Sequence, residues 1–186
     1  MISGPPKFYK NDPDFKKFHY QIKLIACPHC QITGCLILHG YLYGYDEKNS
    51  HQQIIRGHRI FCSNRNQRPG CGGTFSILAS HILKNFTITT QSFWDFLVNI
   101  LKGLNKFAAF SLLKLPFSTS SIYRLYQRIK LCQPHLRTLL LNKIPSPVDV
   151  PSPNPLIKTI LHIKSAFKYN PDPLSAFQSH FQAYLI

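Results

Sequence analysis

Two pairs of cysteines constrain this chain more than any other feature. Cys27 and Cys30 stand in ACPHCQ, and Cys62 and Cys71 in FCSNRNQRPGCGG. A C-x-x-C turn offers two sulfurs to one ion, and a second pair from a distant segment completes a tetrahedral set. Closing such a set requires a compact β unit in which strand, hook and strand follow one another twice, the plan of a zinc ribbon. Pro28 stiffens the first hook. The second is looser, with eight residues between its cysteines, and Gly70, Gly72 and Gly73 give the backbone freedom around the sulfur. The expected cofactor is therefore one structural Zn²⁺ on Cys27, Cys30, Cys62 and Cys71. The alternatives are a disulfide pair or ordinary buried thiols. Residues 1–20 are polar and charged and carry no apolar signal core, which argues against export and so against disulfides. Cys35 and Cys132 read as small core residues. His29, His39 and His58 lie near the hooks and are second-choice ligands.

Charge supplies the next constraint. The chain carries 22 Lys and Arg against 7 Asp and Glu, a formal net charge of +15. Such a surplus seeks a polyanion: DNA, RNA or an acidic membrane surface. Aromatic and aliphatic content is too high for a disordered basic tail. No uninterrupted apolar stretch is long enough to span a bilayer. The most apolar region, 93–115, is broken by Asp95, Asn99, Lys102, Gly103, Asn105 and Lys106. The expected protein is soluble and cytoplasmic, associated with the nucleoid.

Patterning divides the chain. Residues 1–19 read as an irregular arm and 20–80 as the zinc ribbon, with strands at Tyr20–Ala26, Cys35–Leu38, Gly57–Cys62 and Thr74–Leu78. Gly40 and Gly44 punctuate an aromatic segment, Tyr41, Tyr43 and Tyr45, and Asp46–Gln53 reads as a mobile loop. Over 90–142 the apolar period lengthens from two to about 3.6. One helix presents Phe93, Phe96, Leu97, Ile100, Leu101 and Leu104, with a capping box at Ser92 and Asp95 and a stop at Gly103. A short helix after Asn105 is expected to bury Phe107, Ala108, Phe110 and Leu112 or Leu113. A third helix, starting among Ser118–Ser121, buries Ile122, Leu125, Tyr126 and Ile129. Pro134 is expected to break it before a short helix at His135–Asn142. Residues 143–155, rich in proline, form an extended linker, and 156–186 a helical tail. The tail is read as separate from the basic core and dispensable for DNA binding.

Asn105–Leu113, a turn at Lys114–Phe117 and Ser118–Lys130 fit a helix-turn-helix, whose second helix enters the major groove. The sequence has no acidic residue between Asp95 and Asp149. Lys106 and Lys114 suit phosphate. Arg124 suits a guanine edge. Ser121, Tyr123, Gln127, Arg128 and Lys130 complete the DNA-facing set. A plain helical bundle with a solvated basic face fits the same pattern; the missing acids favour DNA. Arg56, Arg59, Arg65 and Arg68 form a second basic group, placed either to screen the negative thiolates or to meet phosphate.

Catalysis finds little support. The seven acids are scattered over arm, loops, a helix cap and the linker, whereas a two-metal nuclease needs carboxylates converging on its ions. No Gly-rich phosphate loop precedes a helix, and four thiolates close a zinc ion against substrate.

CPHC, then RGHRIFCSNRNQRPGCGGTFSIL, then FSTSSIYRLYQRIKLCQPHLRTLL resembles the zinc-ribbon and helix-turn-helix proteins of bacterial insertion sequences. The resemblance covers roughly residues 20–142 and lacks the catalytic carboxylate domain of a full transposase. It implies an accessory or regulatory DNA-binding protein of transposition, or a truncated remnant, with Cys27, Cys30, Cys62 and Cys71 on the metal. The expected class is α+β: a zinc-ribbon-like β unit, a helix-turn-helix-like helical unit and a helical tail. The expected partner is double-stranded DNA, with a second copy of the chain or a transposase as further candidates, and no membrane. The alternative function is a zinc-ribbon protein–protein interaction module without DNA binding.

Overall fold

The computed structural model describes residues 5–147 and 154–186 and is α+β. It divides into two compact units, Met1–Tyr45 with Gln52–Ser80, and Asp46–His51 with His81–Ile186.

The first unit is a four-stranded sheet in the order β1-β4-β3-β2, with β1 at Phe8–Tyr9, β2 at Leu36–Tyr45, β3 at Gln53–Cys62 and β4 at Thr74–Ala79. β2 pairs with β3 and β3 with β4 in antiparallel fashion, while β1 runs parallel to β4. The β2–β3 ladder slips between Leu38 and Gly40 and again between Leu42 and Tyr43. Such bulges add local twist. A helix, α1, spans Asp12–Gln21 and runs into a 3-10 turn at Ile22–Leu24.

Residues 5–19 are thus no irregular arm, since they hold β1 and most of α1, and Tyr20–Ala26 is no strand. Asn11 caps the helix by accepting from the Asp14 N–H, and Pro13 sits in the first turn, where its missing N–H has no helical partner to lose. Phe15, Phe18 and Ile22 are buried at helical spacing. Pro13 is part of the helix's start signal, and Lys16 and Lys17 lie on its exposed face. Gly4 and the other residues of 1–4 lie outside the described part.

The second unit is helical: α2 at Thr90–Leu101, α3 at Lys106–Ser111, α4 at Thr119–Leu141, α5 at Pro155–Ala166 and α6 at Pro173–Phe181. One core unites Phe93, Phe96 and Leu97 of α2, Ile122, Leu125 and Ile129 of α4, Ile160 and Ile163 of α5, and Leu174 and Phe177 of α6. The C-terminal stretch is therefore part of the core and no detached tail. Pro155 opens α5 with Asn154 as its cap, so the linker ends before it; residues 148–153 lie outside the described part.

Three local expectations change. The α2 cap is Thr89, which accepts from the Ser92 N–H, and Asp95 instead accepts from the Gln91 side chain. Asn105 caps α3 as expected, and of Leu112 and Leu113 it is Leu113 that packs against the core, yet Phe107 is exposed. Pro134 does not break α4. A proline at this position removes the N–H that would reach the Lys130 carbonyl, and the Gln133 side-chain amide donates to that carbonyl at 2.9 Å instead. Leu136 and Leu140, both fully buried, hold the second half of the helix in place.

Candidate metal centre and nucleic-acid interface

Both cysteine hooks are closed by backbone hydrogen bonds. In the first, the Cys27 N–H donates to the Ile32 carbonyl and the Gln31 N–H to the Cys27 carbonyl, with Gln31 in the left-handed region at φ 61°. In the second, the Cys62 N–H donates to Gly73 and the Gly72 N–H returns to Cys62. The eight-residue loop therefore pinches at its base, and Cys71 comes back beside Cys62. Two glycines are needed for this. A Cβ at Gly70 would collide with the Ser63 carbonyl, and Gly72 has φ 74°.

The result is four sulfurs within 4.8 Å of one another. Cys27 Sγ lies 3.8 Å from Cys71 Sγ, and Cys30 Sγ 3.7 Å from Cys62 Sγ. A tetrahedral ion with metal–sulfur bonds of about 2.3 Å sets its ligands about 3.8 Å apart. A disulfide would need about 2.05 Å, and all six cysteines are free thiols. The donor set therefore fits a metal ion. Backbone N–H groups of His29, Cys71 and Gly73 point at the sulfurs of Cys27, Cys62 and Cys71, each at 3.4 Å. Such donors stabilise thiolate over thiol. A backbone hydrogen bond at Ile32 holds the Cys30 thiol down at about 7, whereas burial pushes Cys62 up to about 12. A cation among the sulfurs removes the conflict, because a coordinated thiol is deprotonated outright.

None of the second-choice histidines joins this set. His29 packs edge-on to Phe75, and His39 lies tilted against Phe61. His58 is buried, stacked on Phe15 at 3.4 Å, with Tyr9 and Tyr41 around it. Cys35 is buried just before β2, and Cys132 packs against the core of the second unit. Among the arginines of the first unit, Arg65 sits over the Phe61 ring.

The residues proposed for DNA lie on α3, the following turn and α4. Ile122, Leu125, Tyr126 and Ile129 are buried, and Arg124, Gln127, Arg128 and Lys130 are exposed. Lys114 is exposed in the turn with φ 51°. The turn runs from Leu112 to Ser118, longer than the three or four residues usual for a helix-turn-helix. Aromatic rings position several cations. Lys106 Nζ lies 5.0 Å from the Tyr126 ring and 5.6 Å from Tyr123, Lys130 Nζ 5.2 Å from Tyr126, and the Arg128 guanidinium 5.4 Å from Phe86. Ser121 and Arg124 line a cavity of about 230 Å³ whose walls include Phe86, Phe110 and Phe117. Arg137 is spent elsewhere: its guanidinium donates to Thr159 Oγ1 at 2.8 Å and to the Pro155 carbonyl.

Glu47 escaped the sequence reading. It is buried, and its carboxylate accepts from the Thr89 N–H at 2.7 Å, the Thr89 hydroxyl at 3.1 Å and the Ser92 hydroxyl at 2.8 Å. The segment expected to be a mobile loop is thus an anchor. No neighbouring signal points to it, because its partners lie more than forty residues away.

Among the described residues, no helix is long and apolar enough to cross a membrane. No protein-family model, curated protein or solved structure matches the chain.

Proposed function

We propose that this is a non-enzymatic, double-stranded-DNA-binding protein in which the four-cysteine site holds zinc as a structural ion and α3–α4 meets the duplex. The observation that carries the reading is the division of α4. Its apolar side is buried, while Arg124, Gln127 and Arg128 face solvent, on a stretch with no acid between Asp95 and Asp149. A cationic face without counter-charges attracts phosphate, and counterion release makes that attraction salt-dependent. Arg124 sits in the N-terminal half of the helix, where a recognition helix meets bases, and Gln127 and Arg128 lie one turn on. Lys106 and Lys114 flank the turn and suit phosphate. Zinc suits the sulfurs because it takes four thiolates tetrahedrally without redox chemistry, and a closed site of this kind supports folding. The likeness to insertion-sequence proteins supports an accessory or regulatory role in transposition, with the chain acting on chromosomal DNA in the cytoplasm.

The test is titration of duplexes selected from a random pool, and of scrambled controls, at several salt concentrations. Affinity should fall steeply with salt. Arg124→Ala should cost about 1–3 kcal/mol on the selected duplex and much less on the scrambled one. Lys114→Ala should weaken both equally. An Arg124→Ala protein that binds both duplexes as the parent does would mean that α4 is only a solvated bundle helix.

A further inference from the structure

β2 ends in LYGY, and Tyr41, Tyr43 and Tyr45 alternate along it. They are 50%, 61% and 50% exposed, and Ile55, cross-strand from Tyr43, is 46% exposed. Alternate residues of a strand share one face. The face is fixed here by Tyr41, which pairs with His58 and rings it at 5.3 Å, on the same side as Phe15 of α1. Tyrosines exposed singly are ordinary, whereas three in a row on one face form a contiguous exposed aromatic patch, the kind of surface that marks an interaction site. β2 is also the edge strand of the sheet, so no further strand of the sheet lies beyond it.

We propose that this tyrosine row is a stacking platform for an unpaired nucleic-acid strand, a site distinct from the α3–α4 face. Two observations choose this occupant. The first is charge. The unit that carries the row has nine Lys and Arg against two Asp, a formal +7. On α1, the helix seated over His58 on that same face, exposed Lys16 and Lys17 balance Asp12 and Asp14, so the surplus comes from the rest of the unit. A polyanion is attracted here, and a nucleic-acid strand brings a flat base with every phosphate, whereas an acidic peptide brings flat rings only where it carries aromatic residues. The second is spacing. The Tyr41 and Tyr43 rings are inclined by 55° and 6.2 Å apart, nearly twice the ~3.4 Å rise between bases along one strand of a duplex. Bases that follow the rings must therefore be pulled out of their own stack, which a single strand allows and a duplex resists. Stacking reads any base through its π-face, so the site is expected to be tolerant of sequence. The shared chemistry covers unpaired DNA and unpaired RNA alike.

The test uses the full-length, zinc-loaded protein and fluorescein-labelled dT15 and rU15, read by anisotropy, with a blunt duplex as the third probe. Single-strand binding should be measurable and salt-dependent. Tyr43→Ala should weaken it about five- to a hundredfold, Tyr43→Phe should leave it nearly intact, and duplex affinity should not change in either. Comparing dT15 with rU15 decides whether the ribose hydroxyl matters. The triple variant Tyr41→Ala, Tyr43→Ala, Tyr45→Ala, checked for metal content and circular dichroism, should abolish the signal. Three outcomes would overturn the proposal: an intact triple variant that binds dT15 and rU15 as the parent does, Phe losing as much as Ala, or single-strand and duplex affinity falling together. Failure of the duplex reading is separable, because Arg124→Ala should leave dT15 binding unchanged.

Discussion

Cys62 closes β3, fully buried, and burial alone would keep its sulfur protonated, up to a pKa of about 12. A bound cation reverses that preference, so metal affinity and folding of the β unit rise together. Purified protein should carry about one zinc per chain. Cys62→Ser should lose the zinc and the sheet signal in circular dichroism, while Cys35→Ser, whose sulfur is outside the cluster, should retain the metal. Stoichiometric zinc surviving in Cys62→Ser would sink the assignment. His58 is the other residue whose setting decides its chemistry. Its Nδ1 is buried without a hydrogen-bond partner, and burial lowers its pKa below the ordinary value near 6.5. The folded chain therefore resists protonation that the unfolded chain accepts. The stability contribution is complete above about pH 6.5 and is lost as the pH falls from there towards the folded-state pKa. His58→Phe keeps an aromatic group in the stack against Phe15 and removes the titration. Denaturant melts of the zinc-loaded proteins at pH 7.5, 6.5 and 5.5 should show the variant gaining on the parent as pH falls. A difference independent of pH would mean that His58 does not titrate in this window.

Elements differ in how openly the sequence announces them. The apolar period of 3.6 in Phe93, Phe96 and Leu97 and in Ile122, Leu125, Tyr126 and Ile129 marked α2 and α4, because those side chains are the buried stripe itself. The hooks were legible for a similar reason: a metal site needs its ligands paired in sequence as well as in space. α1 is hidden in the sequence, since Pro5, Pro6 and Pro13 among lysines look like an arm until Asn11 is recognised as a cap with Phe15 and Phe18 behind it. The end of α4 was misplaced because a proline inside a helix costs about 3 kcal/mol, and nothing in the order Gln133-Pro134 says that the glutamine amide will occupy the abandoned carbonyl. Glu47 is the limiting case. It supplements the Thr89 cap from a segment outside the helix, and the first turn of α2 carries no acid of its own. Its carboxylate meets the exposed N–H end of the helix, where negative charge is favoured. Only the folded chain brings the two segments together.

At the scale of the whole molecule, the proline-rich stretch invites a division that the packing rejects. Pro145, Pro147, Pro151, Pro153 and Pro155 suggest a linker to a dispensable tail, yet the chain beyond it completes the second unit. Leu156, Ile160 and Ile163 of α5 are buried, as are Phe167, Leu174, Phe177 and Leu185. Polar ties add to them: Arg137 reaches Thr159 at 2.8 Å, His162 Nε2 meets the Ile144 carbonyl at 3.0 Å, and Gln178 donates to the Ile82 carbonyl at 3.0 Å. Asp172 caps α6 and accepts from the Thr90 hydroxyl, and its burial holds its pKa above the ordinary value. Seven buried side chains, each worth about 1.5–3 kcal/mol on burial, match or exceed the whole stability of an ordinary domain, about 5–15 kcal/mol. Deleting residues 147–186 should therefore unfold the helical unit, with loss of helical circular dichroism and of duplex binding. The four-cysteine unit, whose sheet and hooks lie wholly within Met1–Tyr45 and Gln52–Ser80, should keep its metal. Elemental analysis and circular dichroism of the truncated chain decide the matter. A truncated protein that keeps its helices and its duplex affinity would mean that α2, α3 and α4 stand without α5 and α6, and that the buried C-terminal side chains only cover a core already complete.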